Sequence, residues 1–164
     1  MANYVKQPNP YSCGPTAILN ALKWAGLDVT LQQFPLLEYS CRTSGPDGDK
    51  EDDEIGILDH DFDRVLRWSG KRIFKKIKRK KYPTFKEIKK HLQKGGSICL
   101  GYYWIEGKQS GGHYAFLSGI KNGLIEVIND HSVDDKINLR TDKTIRKWMK
   151  SKKIDAPIAW FLTN

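Results

Sequence analysis

Cys13 has the clearest claim to chemistry in this chain. It stands in Gln7-Pro-Asn-Pro-Tyr-Ser-Cys-Gly-Pro-Thr16, just ahead of a run in which Ala17, Ile18, Leu19, Ala21, Leu22, Trp24 and Ala25 recur at helical spacing. The pattern predicts a largely buried helix that begins at the cysteine and ends near Gly26. A helix N-terminus carries partial positive charge and unpaired N–H groups, so a thiol there is drawn towards thiolate, the form that attacks a carbonyl carbon. Gln7, six residues upstream, has an amide donor that could face the same place. Ser12 and Gly14-Pro15 flank the cysteine, as the tight backbone of a proline-initiated first turn requires.

A thiolate nucleophile needs a base, and the base needs a group that orients it. Of the four histidines, His113 is the best placed: it follows Ser110-Gly111-Gly112 and opens an apolar strand, Tyr114 to Ile120. Lys121-Asn122-Gly123 reads as a hairpin turn, so the run from Leu124 returns antiparallel and sets Asn129-Asp130 beside the histidine. Alternation puts those two on opposite faces. Asp130 is the expected orienter, because a carboxylate also stabilises imidazolium. His131 is a second-choice base. His60 and His91 read as surface residues, and Cys41 and Cys99 as small buried hydrophobes. Ser12, Gly112 and Tyr114, the chain neighbours of the two reacting groups, are candidate substrate-binding residues.

The elements that must hold these groups are legible to differing degrees. Thr30 reads as the cap of a second helix, about residues 31–39, and residues 42–54 as a mobile surface loop of turn formers and charges. A third helix is expected within 55–68, stopped by Gly70, and a strand with a basic outer face over 71–81. Thr84 with Glu87 forms a capping box for a helix that buries Phe85, Ile88 and Leu92 and ends at Gly95-Gly96. Strands follow at 97–104, 114–120 and 124–129, then a short basic helix around 144–151 and a last strand, 158–162. Helices first and an antiparallel sheet second make an α+β fold. One domain is expected over 1–164, with a helical part about 1–70 and a sheet part about 71–164.

Composition bounds the partners. The net charge is +9, and residues 71–94 hold twelve lysines and arginines against the single Glu87, whereas residues 47–63 hold nine acidic residues against Lys50. Such a basic face suits nucleic acid or an acidic peptide, but the acidic stretch of the same chain matches it equally well, so nucleic acid is not favoured. Three cysteines at scattered spacings argue against a disulfide framework and for a reducing compartment. There is no membrane-spanning run and no apolar leader, so the expected location is cytoplasmic. No Cys/His set has zinc spacing, and no glycine-rich phosphate loop is present. Asp59-His60-Asp61-Phe62-Asp63 lacks the glycine and distant glutamate of a calcium loop and reads as a solvated helix face. No metal and no cofactor are implied.

In combination, Gln7, Pro-Tyr-Ser-Cys13-Gly-Pro-Thr-Ala, Gly-Gly-His113-Tyr-Ala-Phe and Ile-Asn-Asp130 resemble the papain-like cysteine peptidases that remove bacteriocin leader peptides at a double-glycine site. The resemblance runs from Gln7 to the final strand. It implies a papain-like fold, Cys13 as nucleophile, His113 as general base, Asp130 as its orienting partner, and Gln7 with the Cys13 main-chain N–H as oxyanion hole. It further implies a peptide or protein substrate, with glycine before the cleaved bond. Ser12 stands where many members carry an acidic residue, and His131 where they carry proline. The family's exporter members fuse this domain to membrane and ATPase domains, so a soluble, stand-alone member is expected here. Two alternatives stay open: an acyl or peptidyl transferase on the same triad, and a non-catalytic module binding acidic peptide or nucleic acid through residues 71–94.

Overall fold

The structure, a computed structural model, describes residues 2–8, 12–29, 59–132, 135–153 and 155–164. The expected helix at 31–39, the loop at 42–54 and Cys41 lie outside the described residues.

Helix α1 (Cys13–Trp24) starts at the cysteine, and every residue from Cys13 to Leu22 is buried. It closes as the apolar spacing requires. Gly26 takes φ +89, and Leu27 N–H donates to the Leu22 carbonyl. Helix α2 (Asp59–Gly70) packs beside it through Phe62, Val65 and Leu66. Strand β1 (Lys76–Lys81) comes next, then helix α3 (Phe85–Gln93) and strands β2 (Ser97–Glu106), β3 (Gln109–Lys121), β4 (Leu124–Ile128) and β5 (Ile137–Arg140). Helix α4 (Asp142–Trp148) and strand β6 (Ile158–Thr163) complete the order. The six strands among the described residues form one antiparallel sheet in the order β1-β6-β2-β3-β4-β5, so the last strand of the chain is inserted between the first two.

Each face of the sheet buries its own core. On one face Ile18, Leu19, Leu22, Phe62 and Leu66 meet Phe116, Ile128 and Trp160. On the other, Ile88 and Leu92 of α3 and Ile145 and Trp148 of α4 meet Leu100, Leu117, Val127 and Phe161. Strand alternation explains the division, since neighbours such as Phe116 and Leu117 must face opposite ways. No helix among the described residues is long and apolar enough to cross a membrane.

The local signals are explained by their contacts. The β3–β4 hairpin turns through Asn122 (φ +51) and Gly123 (φ +78), the paired positive φ values of a tight hairpin. Thr84 Oγ1 accepts from Glu87 N–H at 3.2 Å and the Glu87 carboxylate accepts from Thr84 N–H at 2.9 Å, a complete capping box. Lys80, 2.5 Å from that carboxylate, and the Thr84 N–H hold Glu87 down at about 2. Thr84→Ala is expected to lower stability by about 1 kcal/mol in urea unfolding, the ordinary cost of a lost cap.

Four expectations need correction. The strand predicted over 71–81 begins only at Lys76, because the chain first turns on itself, with Ile73 and Phe74 N–H groups donating to the Gly70 carbonyl and Phe74 folding into the core. The acidic run of α2 is not a solvated face. Tyr114 Oη donates to Asp59, Trp160 Nε1 donates to Asp63 at 2.8 Å, and Asp61 is buried with His60 Nε2 3.1 Å away. His91 is not a free surface residue: its Nε2 bonds the Leu162 carbonyl at 2.9 Å and its ring stands edge-on to Phe161. Strand β5 was not expected, because its apolar Ile137 and Leu139 point outward while Asn138 and Arg140 reach a buried carboxylate. That inverts the usual sign of the alternation.

Candidate active site

Cys13 meets His113 because two strands differ in length. The last ladder pair between β3 and β4 joins Phe116 to Ile128, so residues 113–115 of β3 run on beyond the end of β4. The start of α1 docks on that stretch. There the Cys13 thiol takes a hydrogen bond from the His113 ring and from the main-chain N–H groups of Tyr114 and Gly14. Burial pushes the thiol up, yet the charge and hydrogen bond of His113 with those two N–H donors bring it below its ordinary value. Cys99 shows the contrast: with burial alone acting, its thiol is driven well up.

The imidazole of His113 is held from its far side by a main-chain oxygen. Strand β4 ends at Ile128, and Asn129 takes φ +55, a left-handed conformation that asparagine tolerates better than most residues. The turn aims the Asn129 carbonyl at His113 Nε2, 2.8 Å away. A carbonyl only accepts, so Nε2 carries the proton and Nδ1 is the nitrogen left to face the thiol.

Here the expected triad is corrected. The structure brings Cys13 and His113 together, but the Asp130 carboxylate lies on other partners. Its Oδ2 accepts from Arg140 Nε at 2.6 Å, and its Oδ1 accepts from Ser132 N–H at 3.0 Å, Ser132 Oγ at 2.5 Å and Asn138 Nδ2 at 3.4 Å. The left-handed residue ends the alternation on which the choice of Asp130 rested, and the unforeseen strand β5 supplies the guanidinium. The Asp130 side chain is fully buried, and its carboxylate strengthens the Arg140 charge.

Gln7 reaches the site on a strap tied by two asparagines. Asn20, in the middle of α1, grips Val5: its Oδ1 accepts from Val5 N–H at 2.9 Å and its Nδ2 donates to the Val5 carbonyl at 3.0 Å. Asn129 does the same for Gln7. Its Oδ1 accepts from Gln7 N–H at 3.0 Å and its Nδ2 donates to Gln7 Oε1 at 2.8 Å. One hydrogen-bonded chain therefore runs from Gln7 through Asn129 and His113 to Cys13. Sequence reasoning passed over Asn20, although a polar residue within an otherwise apolar helix face is a signal, since burial demands a partner.

The remaining candidates have distinct places. Ser12 is buried and begins α1 through its carbonyl, which accepts from Thr16 N–H at 3.0 Å. Tyr114 stacks its side chain on Phe62 with ring centroids 4.6 Å apart and donates to Asp59, while its main-chain N–H bonds the Cys13 thiol. Gly101 makes room for that ring, because a Cβ there would lie 2.9 Å from it. Gly112 is exposed and nothing lies within 4 Å of where its Cβ would be. The expected strand start is also corrected: β3 begins at Gln109 rather than Tyr114, so Gly111 and Gly112 already pair with Trp104 and Tyr103.

His131 forms a wall beside His113, with ring centroids 6.4 Å apart. It stacks flat on Trp104 at 4.7 Å, and Tyr102 stacks on Trp148 at 4.5 Å behind it. Both His131 nitrogens are engaged: Nε2 lies 2.9 Å from Glu106 and Nδ1 2.9 Å from Tyr102 Oη, which also accepts from His131 N–H at 3.1 Å. That leaves no nitrogen for a proton from Cys13, so the second-choice base is a structural wall.

No protein-family model and no curated protein sequence matches the chain. Solved structures do match. A protein described as a C39-like peptidase, from Bacillus anthracis, superposes with a TM-score of 0.67 at 12% identity, covering 99% of this chain and 95% of that one. The peptidase domain of Streptococcus ComA, a bifunctional ABC transporter involved in quorum sensing, superposes with a TM-score of 0.62 at 18% identity, covering 99% and 98%. The chain therefore has the papain-like α+β fold of the C39-like peptidases.

Proposed function

We propose that this protein is a cysteine peptidase that opens peptide bonds through an acyl-enzyme on Cys13. One observation carries the reading: the thiol at the start of α1 is bonded at once by an imidazole and by two main-chain N–H groups, and is held below its ordinary pKa despite burial. The thiolate attacks the carbonyl carbon, and Gln7 and the Cys13 N–H stabilise the oxyanion. His113 passes the proton at Nδ1 to the departing amine, and water then releases the acyl group with His113 as base. Asp130, bound to Arg140 and Ser132, contributes by fixing the turn that aims the Asn129 carbonyl.

The preferred substrate is a peptide with glycine ahead of the cleaved bond. The wall of Trp104 and His131 beside His113 supports this, because a site narrowed on one side favours residues without Cβ. A Gly-Gly peptide is expected to be cut faster than its Ala-Ala counterpart. The products formed with a dilute amine acceptor separate hydrolysis from acyl transfer, since a hydrolase releases mainly the acid and a transferase mainly the amide.

The direct test of the thiolate is mass spectrometry after iodoacetamide across a pH series. Alkylation follows the thiolate fraction, which is populated above the thiol pKa, so a lowered pKa moves the rising limb to lower pH. Cys13 is expected to label rapidly near neutral pH and Cys99 to stay unlabelled, with the Cys13 limb moved upward by His113→Ala. Equal, slow labelling of both refutes an activated thiol.

A further inference from the structure

We infer that Asn129 is the positioning residue of the oxyanion hole: its side-chain amide sets which end of the Gln7 amide is offered to substrate. This rests on the reading of Gln7 as an oxyanion donor and goes beyond it to what makes Gln7 competent.

Hydrogen-bond polarity fixes the orientation of the Gln7 amide. A free glutamine amide can turn over, presenting either an NH2 that stabilises an oxyanion or a carbonyl that repels it. Asn129 removes that choice. The Gln7 main-chain N–H is obligatorily a donor, so the Asn129 atom 3.0 Å from it must be the acceptor, Oδ1. The other end of the same amide is then Nδ2, a donor, and the Gln7 atom 2.8 Å from it must be Oε1. The Gln7 Nε2 end is thereby directed away from Asn129. A backbone N–H, which cannot reverse, dictates the orientation of both side chains in turn. Asn129 is 4% exposed, so water does not compete freely for these bonds.

The residue's second contact places the device. The Asn129 main-chain oxygen is the atom that holds His113 Nε2 at 2.8 Å. One residue thus fixes the oxyanion donor with its side chain and the base with its backbone, and the two functions are separable by mutation. Asn129→Gly keeps the left-handed backbone at no steric cost and retains the carbonyl, but deletes the clamp. Asn129→Asp keeps size and tolerance of positive φ and still accepts from Gln7 N–H, but cannot donate to Oε1, so the Gln7 NH2 is expected to turn in towards the new carboxylate.

Two reagents read the two functions apart in the full-length protein. Iodoacetamide alkylates the thiolate with no oxyanion formed. N-acetylglycine p-nitrophenyl ester acylates it through one: the Cys13 sulfur bonds the acyl carbon, the ester C–O bond breaks, and p-nitrophenolate departs. Asn129→Gly is expected to slow the acylation burst on the order of tenfold or more, as loss of an oxyanion donor does, with alkylation within about twofold of the unsubstituted protein. Asn129→Asp is expected to slow acylation at least as much. On a Gln7→Ala background neither substitution should slow acylation further.

Unchanged acylation in the Asn129 variants, when Gln7→Ala is slow, overturns the clamp. So does a full additional loss on top of Gln7→Ala, or a parallel fall of alkylation in Asn129→Gly, which assigns the residue to His113 or to folding. Normal acylation in Gln7→Ala itself overturns the underlying reading of Gln7 instead.

Discussion

His113→Ala is expected to lower kcat/KM for peptide hydrolysis roughly a thousandfold or more, the scale on which loss of the base disables a coupled nucleophile. The reason is specific to this site. Cys13 is buried, and burial by itself drives a thiol up, as Cys99 shows. The imidazole, with two N–H donors, is what reverses that direction. Removing it leaves the thiol with its desolvation and only the N–H groups to offset it, and leaves the departing amine without a proton. Cys13→Ala in parallel should abolish the acyl-enzyme altogether, and the double variant should be no worse than Cys13→Ala alone. Progress curves on a Gly-Gly peptide, with intact-mass detection of the acyl-enzyme, check all three. A His113→Ala variant within tenfold of the unsubstituted protein removes His113 from the reaction.

Arg140→Met is expected to cost the fold about 3–5 kcal/mol in urea unfolding. It leaves the fully buried Asp130 carboxylate without its guanidinium, with only Ser132 and Asn138 to satisfy it. Unfolding stability should recover in part when Asp130→Asn is added, since the uncompensated charge is then gone. The damage should also reach catalysis. Asp130 and Ser132 form the turn that follows Asn129, and the Asn129 carbonyl is the partner of His113. Loss of stability with no partial recovery in the double variant places the cost in lost packing of the arginine stem instead.

Loop and helix chemistry written in neighbouring residues was legible. The cysteine at a helix start, the Thr84 capping box and the Asn122-Gly123 turn each depend on contacts within a few residues, and each is found as read. The family resemblance rested on the same kind of short motif, and the fold agrees with it. What escaped depended on distant partners. The carboxylates of α2 looked solvated because Tyr114 and Trp160, which bind them, lie 55 and 97 residues further on. Strand β5 was hidden because its inward side chains are polar, which only makes sense once Asp130 is known to be buried beneath it.

For the site, the sequence by itself determined which thiol and which imidazole come together. A thiol at a helix N-terminus and an imidazole near the mouth of an apolar strand are consequences of residue type and local period. The orienting partner was decided by tertiary structure alone. Alternation along 124–130 left Asn129 and Asp130 as rivals, and alternation fails at the first residue with positive φ. Asn129 adopts it, and in doing so gives His113 its main-chain carbonyl, gives Gln7 its side-chain amide, and sends the Asp130 carboxylate to an arginine two strands from the histidine.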